Sequence, residues 1–191
     1  MNFDFKKITE ELIPVFESAG EESINLYKNG LKIEIKEDGS PVSNGDLIVN
    51  EIISKKISQL TPNTPIISEE TVDTKIKNKH SIFWLIDPID GTKEYISGKD
   101  EYTLNAALVI NKKPILGLVG VPKKKQLFYS YGFDKSFVKQ NNKEIKINCS
   151  KKDNRKGVVA VSSSKKPSEI IMKKLQEYNT SSVVKVASSY K

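Results

Sequence analysis

The sequence of 191 residues predicts a layered α+β fold, with a helix pair on an antiparallel sheet and an incomplete α/β unit at the C-terminal end. Segments with helical patterning come first, strand-patterned segments follow them, and a β–α–β pattern comes last. Helices that precede a run of sequential strands are typical of layered α+β domains. A charged linker, SKKDNRKG at 150–157, separates the two parts, so we expect domains at 1–150 and 151–191.

The helix pair is predicted from apolar residues at helical spacing. The first such segment covers 3–28, and Pro14 lies where it would kink or divide the helix. The alternating segment LKIEIK then predicts a strand, and EDGSPVSNGD contains residues that favour turns. We expect Asp46 to begin the second helix, DLIVNEIISKKISQL, and Pro62 to end it.

The sheet is predicted from short apolar or alternating segments joined by polar turns. PIIS (65–68) and SIFWLID (81–87) are typical of buried strands. An antiparallel meander is expected next, formed by EYTLNAALVI, KPILGLVGV, KQLFYSY, KSFVKQ and KEIKI. The C-terminal unit is predicted as a strand, a helix and a strand: VVAVSSS, SEIIMKKLQEY and SVVKVASS.

The composition narrows the classes of function. The net charge of +7 favours anionic partners, either small phosphates or nucleic acid. The lysines are scattered with few aromatic residues among them, which is typical of a solvated surface and argues against a nucleic-acid partner. No apolar run is long enough for a membrane span, and the N-terminus lacks a signal-peptide pattern, so we expect a cytoplasmic protein. Neither the single cysteine, Cys149, nor the single histidine, His80, is assigned a role.

The clearest site pattern is DPIDGT, which follows the buried strand SIFWLID. Asp87 and Asp90 place two carboxylates three residues apart at a buried strand end, which is costly unless a cation neutralises them. Mg²⁺ prefers such oxygen ligands. Pro88 would turn the chain so that both carboxylates and the Ile89 carbonyl face one point. Glu69, at the end of another predicted strand, would supply a third carboxylate.

The residues after these carboxylates suit a phosphate. Gly91 permits close approach of the backbone, and Thr92 begins a predicted short helix, TKEYIS, whose free N–H groups favour an anion. An isolated DPxDG segment is more often an ordinary Asp-Pro turn followed by an Asx-Gly turn. Here the preceding apolar strand, the acids of ISEE and the following helix favour a functional site.

EDGSPVSNGD, ISEE and WLIDPIDGTKEYISG together resemble the inositol monophosphatase superfamily of Mg²⁺-dependent, lithium-sensitive phosphatases. SEE, DGTKEY and EYTLNAALV more narrowly resemble its CysQ-type 3'(2'),5'-bisphosphate nucleotidases, since the inositol-phosphatase branch more often has Asn in place of Glu94. The resemblance runs from near residue 5 to the end of the chain. It implies a layered sugar-phosphatase-type α/β sandwich.

The resemblance also implies roles for individual residues. A first Mg²⁺ would bind Glu69, Asp87 and the Ile89 carbonyl, and a second would bind Asp87 and Asp90. The substrate would contact some of the metal ligands and the two residues that follow them in the chain: Glu69, Ile89, Asp90, Gly91 and Thr92. The catalytic group would comprise Glu69 together with the Thr92 hydroxyl and its partner Asp46, which would orient and help deprotonate the attacking water. Glu70 is expected to support the site without binding metal.

The function implied by the resemblance is hydrolysis of the 3'-phosphate of 3'-phosphoadenosine 5'-phosphate to AMP, with Li⁺ as an inhibitor. An inositol or sugar monophosphatase remains an alternative, as does a basic nucleic-acid-binding module. The family has a later W-D-x-A-A motif whose Asp completes the second metal site, whereas the last Asp here is Asp153. We therefore expect the 191-residue chain to have little or no activity. We favour a truncated, split or partial form of an active phosphatase; the alternatives are a fragment that folds poorly and a stable but catalytically weak binder of phosphate or metal. The oligomeric state, including a homodimer, is left open.

Overall fold

The computed structural model describes residues 3–71, 80–148, 158–162, 168–178 and 180–190. It confirms the predicted α+β class, with a helix pair packed on a central sheet. Cys149 and the linker at 150–157 lie outside the described residues. No helix within the described ranges combines the length and apolar character that a membrane crossing requires.

Helix α1 runs from Phe5 to Gly30 without a break, so of the two predicted effects of Pro14, division of the helix is wrong and a kink stays a prediction. Pro14 is exposed, and the carbonyl that loses its helical partner there can be solvated. The helix begins where the Asp4 carboxylate accepts a hydrogen bond of 3.0 Å from the Lys7 amide. Its buried face packs against helix α2 and the sheet.

Strands β1 (Ile33–Ile35) and β2 (Pro41–Ser43) form an antiparallel hairpin before helix α2 (Asn44–Leu60). The turn predicted over 37–46 is therefore shorter than expected, because residues 41–43 form a strand and residues 44–46 belong to helix α2. Helix α2 begins two residues before Asp46, the residue predicted to begin it. The reason is a capping box: the Ser43 hydroxyl caps the helix, and the Asp46 carboxylate accepts from the Ser43 amide.

The central sheet has seven strands in the order β3-β4-β5-β6-β7-β8-β9. Strand β3 is parallel to β4, and every later pair is antiparallel, as the predicted meander requires. The strands are β3 Ile66–Ser68, β4 Ile82–Asp90, β5 Thr103–Ile110, β6 Lys113–Val121, β7 Gln126–Ser130, β8 Ser136–Gln140 and β9 Lys143–Lys146.

Strand β4 continues beyond Asp87, where the sequence predicted its end, as far as Asp90. Asp87 pairs with Asn105 and Asp90 pairs with Thr103, so β4 advances three residues where β5 advances two. The extra residue is a β-bulge, a feature that redirects side chains near strand ends. Helix α3 (Thr92–Ile96) follows at once and matches the short helix predicted there.

The hydrophobic core lies between the helix pair and the sheet. Large side chains of β4, β5 and β6 are fully buried in it, including Trp84, Ile86, Leu104, Leu108, Leu116 and Leu118. The Trp84 indole donates a hydrogen bond of 3.0 Å to the Thr61 hydroxyl just after α2. Burial of each such apolar side chain contributes about 1.5–3 kcal/mol, so the strand that leads to Asp87 is firmly fixed.

The C-terminal unit consists of β10 (Val158–Ser162), α4 (Glu169–Glu177) and β11 (Thr180–Lys185). Strands β10 and β11 are parallel, which confirms the predicted β–α–β pattern. The last strand ends at Lys185, earlier than predicted, and Ser188–Tyr190 form a 3-10 turn that contacts β5 and β6. A division into separate domains at 150/151 stays a prediction.

Candidate active site

The parallel pairing of β3 and β4 brings their carboxyl ends side by side. Ser68 pairs with Ile86, and the Glu69 amide donates a hydrogen bond of 3.1 Å to the Ile86 carbonyl. Glu69 therefore lies level with Asp87 on the neighbouring strand. The structure places these two predicted metal ligands at one edge of the sheet.

Asp87 is a half-buried carboxylate that forms no ion pair with any residue the structure describes. Its Oδ1 atom is buried and has no hydrogen-bond partner in the described part of the chain. Burial, followed by the negative charges of Glu69 and Asp90, raises the pKa of Asp87 to about 7. A buried acceptor among like charges is a costly arrangement that a cation would relieve.

Asp90 is held by the C-terminal end of the chain. Its Oδ2 atom accepts hydrogen bonds from the Ser189 amide at 2.5 Å and from the Ser189 hydroxyl at 2.6 Å. The Ala187 amide also donates to the Glu101 carboxylate, at 3.0 Å. Ser189 was not predicted as a site residue, because no local pattern signals a contact between residues so far apart in the chain.

The carboxylates do not form a ready metal site in this arrangement. Over 3–71, 80–148 and the three described C-terminal pieces, no group of three or more Asp, Glu, His or Cys side chains is placed to hold a metal ion. The donor chemistry nevertheless fits a hard cation: no described residue hydrogen-bonds to Asp87 Oδ1, and both Ser189 bonds to Asp90 go to Oδ2. The residues present are therefore compatible with Mg²⁺.

Gly91 connects the bulged end of β4 to helix α3 in a left-handed conformation, with φ at 94°. This φ favours glycine, and the surroundings also exclude a side chain. A Cβ atom at Gly91 would lie 3.1 Å from the Glu101 carbonyl oxygen and 3.3 Å from Ser188 Cβ. Glu101 and Ser188 thus occupy the place that a side chain would need, and only glycine fits at this turn.

Asp46 and Thr92 are brought together from α2 and α3. The Thr92 hydroxyl lies 3.3 Å from Asp46 Oδ1 and 3.1 Å from the Ile89 carbonyl oxygen, as a donor to each. Asp46 is buried, and its Oδ2 accepts from the Ser43 amide at 2.8 Å and hydroxyl at 2.6 Å. Burial raises the pKa of Asp46, while the Ser43 hydrogen bonds oppose that rise.

Lys36 is a cation at the edge of the site that sequence analysis did not single out. Its Nζ atom lies 2.9 Å from Glu70 Oε2 and 3.0 Å from Oε1. Burial acts to lower the pKa of Lys36, but the Glu70 carboxylate, with Glu69 and Asp46 beyond it, produces a net rise. Glu70 is thus neutralised by Lys36, whereas Glu69 makes no ion pair among those found in the described residues.

Comparison with known proteins identifies relatives of the whole chain. Residues 4–191 match the model of the inositol monophosphatase family. The 3'(2'),5'-bisphosphate nucleotidase CysQ of Buchnera aphidicola is 31% identical over 197 residues, covering 100% of this chain and 72% of that protein. The CysQ of Aggregatibacter actinomycetemcomitans is 30% identical over 125 residues, covering 64% of this chain but only 46% of that protein.

Solved structures with a similar fold include a CysQ protein and two inositol monophosphatases. CysQ from Bacteroides thetaiotaomicron gives a TM-score of 0.72 at 23% identity, covering 100% of this chain and 76% of that one. An IMPase/NADP phosphatase complexed with Mg²⁺ and phosphate gives 0.78 at 18% identity, covering 97% and 69%. A LiCl-soaked inhibitory complex of a staphylococcal inositol monophosphatase gives 0.78 at 17% identity, covering 98% and 69%. Sequence match and fold agree: the chain belongs to the inositol monophosphatase family.

Proposed function

We propose that this chain carries the site of a Mg²⁺-dependent phosphomonoesterase that releases the 3'-phosphate of 3'-phosphoadenosine 5'-phosphate to give AMP. The observation that carries the proposal is the Asp46–Thr92 contact, together with the buried Asp87 Oδ1 atom, which has no hydrogen-bond partner among the described residues. The preference for a nucleotide over other phosphates is supported by the CysQ relatives, which are named as 3'(2'),5'-bisphosphate nucleotidases.

Glu69, Asp87, Asp90 and the Ile89 carbonyl would hold the metal. Mg²⁺, when bound, would neutralise charge on the phosphate and lower the pKa of a water molecule. The complex of a similarly folded phosphatase with Mg²⁺ and phosphate supports the choice of metal. Li⁺ is proposed as an inhibitor, in line with the LiCl-soaked inhibitory complex of the staphylococcal protein.

The hydroxyl of Thr92 would orient the attacking water. Its hydrogen is directed to Asp46 Oδ1 or the Ile89 carbonyl, which leaves an oxygen lone pair to accept a hydrogen bond from water. Asp46 Oδ2 is already used by Ser43, so Oδ1 is the atom that takes part. The raised pKa of Asp46 favours acceptance of a proton relayed through Thr92.

The phosphate would be bound by the backbone amides of Gly91 and Thr92, with Glu69, Ile89 and Asp90 also lining the substrate. Gly91 adopts the left-handed turn from which helix α3 starts, so the two amides lie at a helix start, a position that favours an anion. The ammonium of Lys36 lies at the same edge and would attract an anionic substrate.

Two other functions can be separated by experiment. An inositol or sugar monophosphatase would share the metal chemistry and differ only in substrate, so a panel with inositol 1-phosphate and sugar phosphates distinguishes it. A nucleic-acid-binding module would bind DNA or RNA in a salt-sensitive way that Asp87→Asn leaves unchanged. The acids gathered at the carboxyl ends of β3 and β4 argue against such binding at this surface.

The proposal is tested by following phosphate release from 3'-phosphoadenosine 5'-phosphate with and without Mg²⁺. Turnover by the 191-residue chain is expected to be slow, to require Mg²⁺, to fall with Li⁺ and to be absent in Asp87→Asn. Asp134→Asn removes an equal charge at an exposed loop and should leave the rate unchanged. Release that persists in chelator, or equally in Asp87→Asn, would refute the proposal.

A further inference from the structure

Tyr95 anchors the short helix α3 to the rest of the protein. It is the buried residue of that helix, and its hydroxyl donates a hydrogen bond of 2.6 Å to the Ser23 carbonyl on α1. The Tyr95 ring also packs against the Tyr102 ring, with centroids 4.8 Å apart. Burial raises the pKa of Tyr95, so its phenol stays protonated and the hydrogen bond holds the ring in place.

The anchored ring fills the space where residue 45 would carry a side chain. A Cβ atom at Gly45 would lie 2.6 Å from the Tyr95 hydroxyl oxygen and 2.7 Å from Cε1. Both distances are too short for nonbonded atoms, which prefer about 3.5–4.0 Å between carbons. Gly45 lies within helix α2 and is not among the glycines with positive φ, so space and not backbone conformation requires glycine.

This contact lies beside both members of the proposed catalytic pair. Gly45 immediately precedes Asp46, and Tyr95 is one helical turn after Thr92. The Thr92 hydroxyl reaches Asp46 Oδ1 at 3.3 Å, near the outer limit of a hydrogen bond. A small separation of α2 from α3 would therefore break the Thr92–Asp46 contact.

We infer that Gly45 and Tyr95 form a matched pair of positioning residues, whose direct packing sets the distance between Asp46 and Thr92. The catalytic consequence rests on the function proposed above, but the geometric claim does not. Because the Tyr95 ring is fixed through its hydroxyl, Gly45→Ala should push α3 away from α2. Tyr95→Phe, which releases the tether to Ser23, should allow the ring to shift and accommodate the added methyl group.

The structural test compares four proteins by backbone amide NMR: wild type, Gly45→Ala, Tyr95→Phe and the double variant. The amide resonances of Asp46 and Thr92 should move in Gly45→Ala and return towards wild-type positions in the double variant. Leu47→Ala, an exposed substitution on the other side of Asp46, controls for changes at the start of α2 and should leave Thr92 unmoved. This arm needs neither metal nor substrate, so it decides the geometric claim even if the proposed activity fails.

The kinetic test measures kcat and KM for 3'-phosphoadenosine 5'-phosphate in the same proteins. Gly45→Ala should lower kcat by on the order of tenfold or more with KM nearly unchanged, since only the alignment of the reacting groups is altered. The double variant should recover most of that loss. The inference is overturned if Gly45→Ala leaves the Thr92 resonance in place, or if the double variant is as disturbed as Gly45→Ala.

Discussion

The two halves of the candidate site differ in how completely the protein supplies hydrogen-bond partners for their polar groups. The hydroxyl half consists of Ser43 at the end of β2, Asp46 on α2 and Thr92 on α3, and hydrogen bonds join these three residues. The carboxylate half, formed by Glu69, Asp87 and Asp90 at the ends of β3 and β4, has a buried oxygen that finds no hydrogen-bond partner in the described part of the protein. The protein's own hydrogen bonds therefore hold the hydroxyl half in place, whereas the carboxylate half needs a bound cation to compensate its charge.

The difference follows from the local structure that supports each half. A helix start offers free amides, so the Asp46 carboxylate finds donors within its own capping box. The bulged end of a β-strand offers few spare donors, and here it gathers acids in their place. Like-charged carboxylates near one another raise each other's pKa and favour either protonation or metal binding.

Thr92→Ala should give the largest effect, because it should reduce turnover, which needs the hydroxyl half, without changing Mg²⁺ binding by the carboxylate half. Loss of the hydroxyl should slow turnover on the order of 100-fold, because a positioned acid–base group contributes about that much. Mg²⁺ affinity should stay nearly the same, since the carboxylate half is intact. The measurement is kcat beside a calorimetric Kd for Mg²⁺, with Thr92→Ser as the variant that keeps the hydroxyl. An increase in KM alone would show that Thr92 binds substrate without orienting water.

Asp87→Asn should stabilise the metal-free protein. Folding raises the pKa of Asp87 from its ordinary value near 4 to about 7. Between these two values the carboxylate loses its proton more readily in the unfolded state, so the free energy of unfolding falls as pH rises. Removing the charge should therefore raise Tm at pH 8 on the order of 3 °C, with little change at pH 4. Thermal unfolding in chelator at both pH values checks this. A lower Tm at pH 8 would mean that the Asp87 charge is already compensated by the protein.

Ser43→Ala should give the smallest of the three effects, a loss of stability of about 1 kcal/mol, typical of a removed helix cap. Urea unfolding measures it, and Ser43→Thr, which retains a hydroxyl, should lie close to wild type. Because the Asp46 carboxylate keeps its bond to the Ser43 amide, Mg²⁺ affinity should not change. No loss of stability would contradict the view that the hydroxyl half is held by its own hydrogen bonds.

Much of this arrangement could be predicted from sequence because it depends on local patterns. The helix pair, the meander and the short helix after Asp90 follow from periodicity and turn residues, and the structure confirms them. The sequence also singled out Asp46 and Thr92, which the structure brings into contact. Their assigned roles in catalysis and metal binding stay predictions.

What sequence analysis missed depends on contacts between distant segments. The bonds from Ser189 to Asp90, from Lys36 to Glu70 and from Tyr95 to Ser23 all join residues on separate elements. The predicted start of α2 was two residues late, because the helix is capped by Ser43, which lies three residues before Asp46 and outside the apolar pattern. Helix α1 is unbroken at Pro14 because this proline lies on the exposed side of the helix. The spacing of apolar residues does not reveal the exposure of a single proline.

A calorimetric titration of Mg²⁺ into metal-free wild type, Asp87→Asn and Thr92→Ala tests the central claim most directly. The account predicts saturable binding in wild type, nearly equal affinity in Thr92→Ala, and affinity weaker by about 100-fold or more in Asp87→Asn, which loses a charged ligand. Equal binding of Mg²⁺ by Asp87→Asn and wild type would show that the acids at the ends of β3 and β4 do not form a cation site.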